Sequence, residues 1–389
     1  MQENKNRIRI AYVTATDARN KHSWSGSDYY IWNALQKHVG DITLVRPKEP
    51  QSLIIILKIL HGCSLYIFGK RFDWRHSTSL SKAYSGNLEK ELEGKVFDLI
   101  VAPASDPLIA NLNTPIPIVY INDRTIAGAI DYHKMLRNLW NFSKQQSILT
   151  DKTAIENSVF VSYPSKWAAD SAEKLYGIPK EKIHLNHFGA NMDVIPARSI
   201  AENRKTESIC KLLFIGVNWN DKGGPIAFDC LKELIKMNIN AELTVCGCIP
   251  SADVVHEKLN VIPFLNKNNP SEFTRLQELW SSSTFLILPT RIDAYGIVFC
   301  EASAYGLPSL GTDTGGVAGA LHNEKNGYLM PFSAGGKDYA LKIAAIYRDP
   351  EAYKTLSINA RNEFEKELNW DVWAGRFKEK LKTTVPGIL

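Results

Sequence analysis

The stretch TFLILPTRIDAYGIVFCE, residues 284–301, decides the fold. It begins with an apolar strand, predicted over Thr284–Leu288, and Gly296 then begins a helix that carries Glu301. Asp293 lies in the turn between the strand and the helix. Carboxylates accept hydrogen bonds from sugar hydroxyls, and free backbone N–H groups at a helix start face phosphate oxygens. The stretch therefore predicts an α/β sheet whose strand ends form a pocket for a polyhydroxylated, phosphorylated ligand.

Strands and helical patterns alternate along the rest of the chain. Strands are predicted over residues 7–13, 42–45, 97–102, 116–121 and 158–162 in the first half, and over 211–215, 241–246, 260–263 and 307–311 in the second. Amphipathic stretches such as Leu80–Leu92 and Ser165–Tyr176 lie between them, and Gly177 is a suitable C-cap for the latter. This alternation predicts parallel, doubly wound sheets.

The length of 389 residues, 44% of them hydrophobic, predicts two domains. The strand–helix pattern loosens over Ala190–Ser208, where Pro196 stands in a polar, charged run, and it restarts as a strand afterwards. We therefore expect an N-terminal domain over residues 1–195, a second domain over 208–366 and a terminal segment over 367–389 that contains a last helix. Two α/β units of similar size predict two Rossmann-like lobes that face a cleft.

Composition and charge favour a globular, soluble protein that does not bind nucleic acid. Charged residues make up 22% of the chain, which is typical of a globular, soluble protein, and the net charge of +5 is weak evidence for nucleic acid. The six cysteines are scattered among apolar neighbours without metal-site spacing, so we expect reduced thiols in a cytoplasmic protein. Residues 1–9 are polar and lack the apolar region of a signal peptide.

The longest apolar run is Leu53–Leu60, which is interrupted by Lys58. No run approaches the roughly 20 apolar residues that a membrane span needs. A buried helix or strand is the simpler interpretation of this run. Because the basic residues Lys70, Arg71 and Arg75 follow it, a peripheral contact with the inner face of a membrane stays open as the alternative.

The motif around Asp293 and Glu301 resembles the signature of retaining glycosyltransferases of family 4. The resemblance rests on the acid-x7-acid spacing, on EASAYGLP at 301–308 and on TGG at 314–316. Because that family has the GT-B fold, it implies two Rossmann-like doubly wound domains facing a cleft, with a C-terminal helix that crosses back to the first domain. The chain departs from the usual pattern at Asp293, where the family has Glu, and at Gly319, where a Glu is common.

A second loop, residues 214–224, follows a strand and begins a helix. Gly216 and Gly223 let the backbone approach a diphosphate, and Lys222 would add a positive charge against the phosphates. A β–α turn with a solvated lysine explains the loop more simply when it is taken alone, but the acidic motif further along favours a donor site. Val217 stands where family 4 usually has an arginine.

The resemblance implies roles for the residues of both segments. Glu301 would accept hydrogen bonds from the two ribose hydroxyls of a nucleotide, and Asp293 would contact the transferred sugar. A charge at a helix N-terminus is the simpler interpretation of Asp293. The predicted donor-binding residues are Gly216, Lys222, Gly223, Tyr295, Gly296, Ile297, Val298 and Glu301. The predicted catalytic residues are Asp123, Lys222, Asp293 and Glu301.

Two segments of the first lobe are candidates for binding phosphates and the acceptor. Ser25, Gly26 and Ser27 follow the first strand and stand in the place of a glycine-rich loop that approaches both in similar enzymes. Asn122 stands where many family members have a histidine that contacts the donor sugar, so no catalytic histidine is predicted. Asn122 and Asp123 would contact a sugar, and the alternative for Asp123 is a turn residue before a helix.

With these residues, the resemblance implies a retaining hexosyltransferase, and we expect it to need neither a metal ion nor a cofactor. The donor would be a UDP- or GDP-sugar, and the acceptor a hydroxyl of a glycan, a polysaccharide or a lipid-linked intermediate. No Asp-x-Asp stands near a strand end to hold a metal-bound diphosphate. The alternatives are a nucleotide-sugar epimerase or a phosphorylase of the same fold, and a non-catalytic nucleotide-sugar-binding protein, which Val217 and Asn122 suggest.

Overall fold

The computed structural model describes residues 7–21 and 23–389. The polar residues 1–6, which the sequence assigns to the N-terminal domain, lie outside the described residues. The chain divides into two units, of which the first comprises Met1–Asn186 with Trp373–Leu389 and the second comprises His187–Val372. For comparison, the sequence predicts that the first domain ends at residue 195 and that the terminal segment begins at residue 367.

The first unit contains a sheet of six parallel strands in the order β2-β1-β3-β4-β5-β6. Its strands are β1 (Ile8–Val13), β2 (Gly40–Val45), β3 (Leu99–Pro103), β4 (Ile118–Ile121), β5 (Phe160–Tyr163) and β6 (Ile183–Leu185). Its helices are α1 (Ser27–His38), α2 (Gln51–Phe68), α3 (Thr78–Leu92), α4 (Asp106–Ile109), α5 (Ile126–Ala129), α6 (Asn141–Asn157) and α7 (Lys166–Tyr176).

The second unit contains another sheet of six parallel strands, in the order β12-β11-β10-β7-β8-β9. Its strands are β7 (Cys210–Ile215), β8 (Ala241–Cys246), β9 (Leu259–Ile262), β10 (Phe285–Leu288), β11 (Ser309–Thr312) and β12 (Gly327–Met330). Its helices are α8 (Arg198–Glu202), α9 (Gly224–Lys236), α10 (Pro270–Ser282), α11 (Ile297–Ala304), α12 (Gly336–Tyr347) and α13 (Pro350–Lys366). The last helix, α14 (Trp370–Thr384), begins in this unit and continues into the first.

The central strands are apolar because helices cover both faces of each sheet. Every residue of β3 and of β10 is buried, and neither strand alternates between polar and apolar side chains. Such continuous apolar runs are typical of parallel sheets whose connections are helices. The prediction of two doubly wound parallel sheets is confirmed.

Helix α14 packs within the first unit. The Phe377 ring lies 5.6 Å from the Phe160 ring of β5, and Asn186 donates a 3.0 Å hydrogen bond to the carbonyl oxygen of Trp373. Lys380 donates to the carbonyl oxygen of Glu181 at 2.6 Å. The predicted return of the C-terminal helix to the first domain therefore has its counterpart in the contacts of α14.

Helix α2 differs from the expectation for the apolar run Leu53–Leu60. The run is helical, but the side chains of Ile55, Ile56 and Ile59 are 55%, 54% and 59% exposed, so the prediction of a buried element is wrong. Judged by length and composition alone, α2 is the one helix among the described residues that could cross a membrane. The expectation that no segment approaches that length is corrected, because the apolar residues continue through Phe68.

Candidate functional site

The strand order of the second unit reverses between β7 and β10. Counted from β7, the order is 3-2-1-4-5-6, and β10 pairs with β7 while β8 lies on the other side of β7. Ligands of open α/β sheets bind at such a switch point, beyond the carboxyl ends of the strands. The loop after β7 carries Lys222 and the loop after β10 carries Asp293, so the topology brings two predicted site residues to this point.

Lys222 and Asp293 form an ion pair. The Nζ atom of Lys222 lies 2.6 Å from Oδ2 of Asp293 and 3.3 Å from the carbonyl oxygen of Ile292. The two side chains are 22% and 13% exposed, so the pair is partly shielded but still open to solvent. The backbone N–H of Arg291 also donates to the carbonyl oxygen of Asp221 at 2.7 Å, which fixes one loop against the other.

Gly223 lets the two loops approach this closely. Its φ of 77° is in the left-handed region, and a Cβ atom on it would lie 1.9 Å from the carbonyl oxygen of Pro289. A Cβ on Gly216 would lie 2.8 Å from Cγ of Lys222, so that glycine makes room for the lysine stem. Neither position accepts a larger residue without movement of the ion-pair loops.

Helix α11 begins at the same point. Its N-cap, Gly296, has a φ of 86°, and a Cβ there would lie 2.8 Å from the Phe299 ring. The first turn of a helix has N–H groups without intrahelical acceptors, and those of Ile297 and Val298 belong to this turn. The helix start therefore presents partial positive charge beside the Lys222–Asp293 pair.

Tyr295 donates two hydrogen bonds within the second unit. Its N–H donates to Oδ1 of Asp293 at 3.3 Å, and its hydroxyl donates to the carbonyl oxygen of Phe188 at 3.0 Å. Burial raises the pKa of the Tyr295 hydroxyl well above its ordinary value, so it stays protonated. The residue thus holds the Asp293 loop in place, and a contact between its N–H and a ligand remains a prediction.

Glu301 lies on α11 and pairs with a lysine that the sequence did not single out. Oε1 of Glu301 is 2.5 Å from Nζ of Lys267, which stands between β9 and α10. The Glu301 side chain is 5% exposed and the Lys267 side chain 28%. Lys267 also lies 3.5 Å from the carbonyl oxygen of Asn191, whose side chain accepts a 3.1 Å hydrogen bond from Trp370.

No local signal identifies Lys267. It lies in the polar segment NKNNP at 266–270, which reads as an ordinary loop, and 34 residues separate it from Glu301. At the end of β8, burial raises the pKa of the Cys246 thiol to about 11, and the charges of Arg275 and Lys267 oppose that rise. Positive charge therefore gathers at the carboxyl end of β8 as well.

Val217 and Trp219, which also lie in the loop after β7, differ in exposure. Val217, at the usual arginine position, is 77% exposed. Trp219 is buried, its ring 5.3 Å from the Phe214 ring, and a Cβ on Gly224 would lie 2.1 Å from the indole. Trp219 therefore supports the start of α9.

The candidate residues of the first unit lie together after β1 and β4. Trp24 Nε1 donates to Oδ2 of Asp123 at 3.0 Å, so the loop after β1 contacts the loop after β4. Trp24, Ser25 and Gly26 have φ values of 47°, 56° and 94°. Left-handed conformations at non-glycine residues cost about 1–3 kcal/mol each and cluster at functional sites.

The neighbours of this loop are buried. Gly26 is the N-cap of α1, and Ser27 is 4% exposed. Asn122 is 8% exposed, its side-chain N–H donates to the Tyr120 hydroxyl, and its side-chain oxygen accepts from the N–H of Asp123 at 2.8 Å. Asn122 therefore fixes the turn that presents Asp123.

Asp28 on α1 is a polar residue that the sequence reasoning passed over. Its carboxylate accepts from the Tyr12 hydroxyl at 2.8 Å, from Ser23 at 3.1 Å and from Thr16 at 3.2 Å. Burial raises the pKa of Asp28, against the lowering effect of these hydrogen bonds. Through Ser23, these hydrogen bonds tie the loop of residues 23–26 to α1.

Most of the second unit is similar to a known protein family. Residues 198–363 match the family described as Glycosyl transferases group 1. The match covers less than half of the chain, and over these residues the chain is similar to that family. Lys222, Lys267, Asp293 and Glu301 all lie within the match.

Curated relatives share part of the chain at low identity. An uncharacterised glycosyltransferase of Methanocaldococcus jannaschii is 25% identical over 228 residues, which is 57% of this chain and 63% of that protein. CapM, a capsular polysaccharide biosynthesis glycosyltransferase of Staphylococcus aureus, is 22% identical over 223 residues, 52% of this chain and 57% of that protein. The chain thus spans less than two thirds of the length of these relatives.

Solved structures resemble the whole chain. Sucrose-phosphate synthase from Thermosynechococcus elongatus has a TM-score of 0.65 at 15% identity and covers 97% of this chain and 99% of its own. HepE of Anabaena, solved with UDP and glucose, has a TM-score of 0.60 at 13% identity, with 97% and 100% of the chains covered. The predicted GT-B fold is confirmed.

Proposed function

We propose that the protein is a retaining, family 4 glycosyltransferase that moves a sugar from a nucleotide-diphosphate donor to a hydroxyl acceptor. The observation that carries the proposal is the pair of lysine–carboxylate contacts, Lys222–Asp293 and Lys267–Glu301, in the residues that match Glycosyl transferases group 1. Both pairs stand beyond the carboxyl ends of strands, the first of them at the switch point where such sheets bind nucleotides.

Glu301 would bind the ribose. A buried carboxylate needs hydrogen-bond donors, and two vicinal ribose hydroxyls supply them in a geometry that matches its two oxygens. Lys267 occupies one of those oxygens in the unliganded protein, so ribose would bind at the remaining lone pairs or move the lysine side chain toward solvent. The 28% exposure of Lys267 leaves room for that movement.

Lys222 and the start of α11 would bind the diphosphate. The lysine ammonium has three donors, of which Asp293 and the carbonyl oxygen of Ile292 engage two. The N–H groups of Ile297 and Val298 add partial positive charge without any cost of reorganisation. Negative charge that develops on the leaving phosphate oxygen would be stabilised by this arrangement, which is where electrostatic catalysis acts.

The reaction would proceed on one face of the sugar. The acceptor oxygen bonds to the anomeric carbon, the bond from that carbon to the diphosphate oxygen breaks, and the acceptor proton passes to the departing phosphate. Asp293 would contact the transferred sugar beside the breaking bond. We propose that no metal ion takes part: among residues 7–21 and 23–389 no three His, Cys, Asp or Glu side chains are grouped to hold one. Loss of turnover in a chelator, restored by Mg²⁺, would contradict this.

Asp123 and the segment Ser25–Ser27 of the first unit are proposed to contact the acceptor. Asp123 is positioned by Trp24 and Asn122, and Ser25 and Gly26 of the segment have a left-handed backbone. A glycan or lipid-linked acceptor is proposed, which the named role of CapM in capsular polysaccharide biosynthesis supports.

A cytoplasmic location is proposed because all six cysteines are free thiols.

A panel of nucleotide sugars tests the proposal. Purified protein is heated with UDP-, GDP- and ADP-sugars, and a donor at 100 times its Kd should stabilise the fold by about 2.7 kcal/mol. The stabilising donor is then incubated alone and slow release of free sugar is measured, since a transferase without acceptor still hydrolyses its donor. Stabilisation without any release would indicate a nucleotide-sugar-binding protein, and interconversion of two sugars an epimerase.

A further inference from the structure

Helix α2 presents apolar side chains on nearly all of its circumference. Only Ile54 and Leu57 are buried, and they pack into the core of the first unit. On the opposite face, Ile55, Ile56, Ile59, Leu60, Tyr66 and Ile67 are between 52% and 92% exposed. We call these six residues the α2 surface. A helix that is apolar all round is ordinarily buried on every side, so this face lacks a covering layer.

Aromatic side chains extend the α2 surface at the end of the helix. Phe68 and Phe142 are 62% and 54% exposed, and the Trp140 ring lies 5.7 Å from the Phe68 ring and 6.5 Å from the Phe142 ring. Trp140 Nε1 donates to Ser64 on α2 at 2.7 Å. Tryptophan and other amphipathic rings are enriched where a protein meets the headgroup layer of a membrane.

Positive charge borders the same surface. Residues 51–76 carry Lys58, Lys70, Arg71 and Arg75 and a single acid, Asp73, which pairs with His76 at 2.7 Å. The four cations have no ion-pair partner among the residues that the structure describes. The Lys70 ammonium lies 4.7 Å from the Trp140 ring centre, and the Arg75 guanidinium 4.6 Å from that of Trp74.

We propose that the α2 surface docks onto a lipid bilayer that contains anionic lipids. Apolar side chains would enter the boundary between headgroups and acyl chains, and the four cations would contact the headgroups. A second copy of the chain fits less well, because an isologous contact through α2 would bring the same unpaired cations close to one another. This proposal does not rest on sugar transfer.

The helix would lie along the bilayer and not cross it. Its 18 residues are roughly 27 Å long at 1.5 Å per residue, which barely matches a hydrocarbon core. Its inner side is also tied to the first unit: His61 Nδ1 is 2.6 Å from the carbonyl oxygen of Phe72, and Asn138 donates to the carbonyl oxygen of Gly69 at 2.7 Å. Spanning would require breaking these contacts and exposing the core under Ile54 and Leu57.

Sedimentation with vesicles tests the proposal. The full chain should sediment with vesicles of phosphatidylcholine and phosphatidylglycerol, and much less with phosphatidylcholine alone. Ile59→Asp should lower the partition coefficient at least tenfold. Leu175→Asp is the matched control, because Leu175 is also a helical residue of the first unit, is also 59% exposed, and lies outside the α2 surface. It should bind as the wild type does.

The double variant Lys58→Gln/Lys70→Gln tests the charges, and its partition coefficient on anionic vesicles should fall about fivefold per charge removed.

Cys63 supplies a direct reporter of position. It is exposed on α2, whereas the other five cysteines are buried, so a thiol-reactive, polarity-sensitive fluorophore labels this helix selectively. Its emission should shift to shorter wavelength on anionic vesicles and return in about 0.5 M salt, where charge contacts are screened. Circular dichroism of each variant checks that the fold is retained.

Three results would overturn the proposal. The first is failure of the wild type to sediment with either kind of vesicle. The second is equal binding to vesicles with and without anionic lipid. The third is a dimer in solution that Ile59→Asp converts to monomer while vesicle binding is absent, which would assign the α2 surface to a second copy of the chain.

Discussion

The two units have similar sheets but use charged side chains differently. In the first unit the cation is largely shielded: the His76 side chain, 14% exposed, lies between Asp73 and Asp106, and the Tyr120 hydroxyl lies 3.3 Å from carboxylate oxygens of both Asp106 and Asp151. In the second unit, Lys222 and Lys267 lie in loops beyond the strand ends, and their side chains are 22% and 28% exposed. The more shielded His76 contributes its charge to the fold, whereas the more exposed lysines remain available to a ligand.

The buried network of the first unit joins elements that are distant in sequence. Asp151 on α6 accepts from the Tyr176 hydroxyl of α7 and from the N–H of Ile126 on α5, each at 2.7 Å. Burial raises the pKa of Asp151 to about 7, and the nearby charge of Asp106 adds to the rise. Charges so placed stabilise the fold only while every member has its partner.

The order of strands explains part of this contrast. The second sheet has its switch point between β7 and β10, and the candidate donor residues gather there. In the first sheet the order β2-β1-β3 moves the switch point to the loops after β1 and β3. Those loops hold Trp24, Ser25 and Ala104, which all have left-handed backbone, so one switch point carries strained backbone where the other carries ion pairs.

Substitution of His76 should have the largest effect on stability. His76→Gln removes the positive charge between Asp73 and Asp106, and breaking a buried pair on one side costs about 3–5 kcal/mol. Denaturant unfolding followed by circular dichroism measures the loss. Lys95→Gln, which breaks an exposed i,i+4 pair with Glu91, is the control and should change the free energy of unfolding by less than about 0.5 kcal/mol. Equal effects of the two would mean that the His76 cluster is not a structural charge.

The pH dependence of stability should follow from the same cluster. Burial by itself lowers the pKa of His76, but the carboxylates of Asp106 and Asp73 outweigh it and raise the pKa to about 9. A raised pKa contributes stability that is complete below the ordinary value of about 6.5 and is lost as the pH rises through 9. The melting temperature of the wild type should therefore fall between pH 7 and 10, and that of His76→Gln should fall less. Parallel curves would contradict the assignment.

Glu301→Ala should affect ligand binding and not folding. The variant should lower donor affinity or turnover at least tenfold, which is about 1.4 kcal/mol or more, because the ribose hydroxyls lose their acceptor. Glu351→Ala on α13, an exposed glutamate of the same unit, is the control. Lys267→Ala and the double variant complete a cycle, and we expect the two losses to be non-additive since the side chains touch. Unchanged kinetics in Glu301→Ala would remove the ribose role.

Local patterns predicted most of the elements. The apolar run before Asp293 became β10, and the glycine at 296 became the N-cap of the helix that carries Glu301, because both signals act within a few residues. Gly177, predicted as a C-cap, has the left-handed φ of 71° that such a cap needs. The short strands β6 and β12 carry no clear pattern, since three or four residues at a sheet edge show too little periodicity.

Contacts between residues that are distant in the chain could not be predicted from local sequence patterns. Lys222 and Asp293 are 71 residues apart, and their contact depends on β7 and β10 being neighbours, which alternation alone does not determine. Burial was misjudged at α2 for a related reason: apolar composition indicates that a face needs cover, but not whether the same chain supplies it. The His76 cluster was missed because its members lie on separate elements and match no motif.

Lys222→Ala should have the smallest of these effects and the most selective one. Loss of the ammonium should weaken UDP binding several-fold, up to about tenfold, and leave uridine binding nearly unchanged, because only the diphosphate contacts the charge. Part of the loss would come from Asp293, whose carboxylate would then repel the phosphates, so adding Asp293→Asn should recover some UDP affinity. Lys232→Ala is the control, since Lys232 also pairs with an acid at 2.6 Å but on the exposed side of α9. Calorimetry with UDP and uridine gives both constants, and equal losses for the two ligands would mean that Lys222 supports the loop and does not touch phosphate.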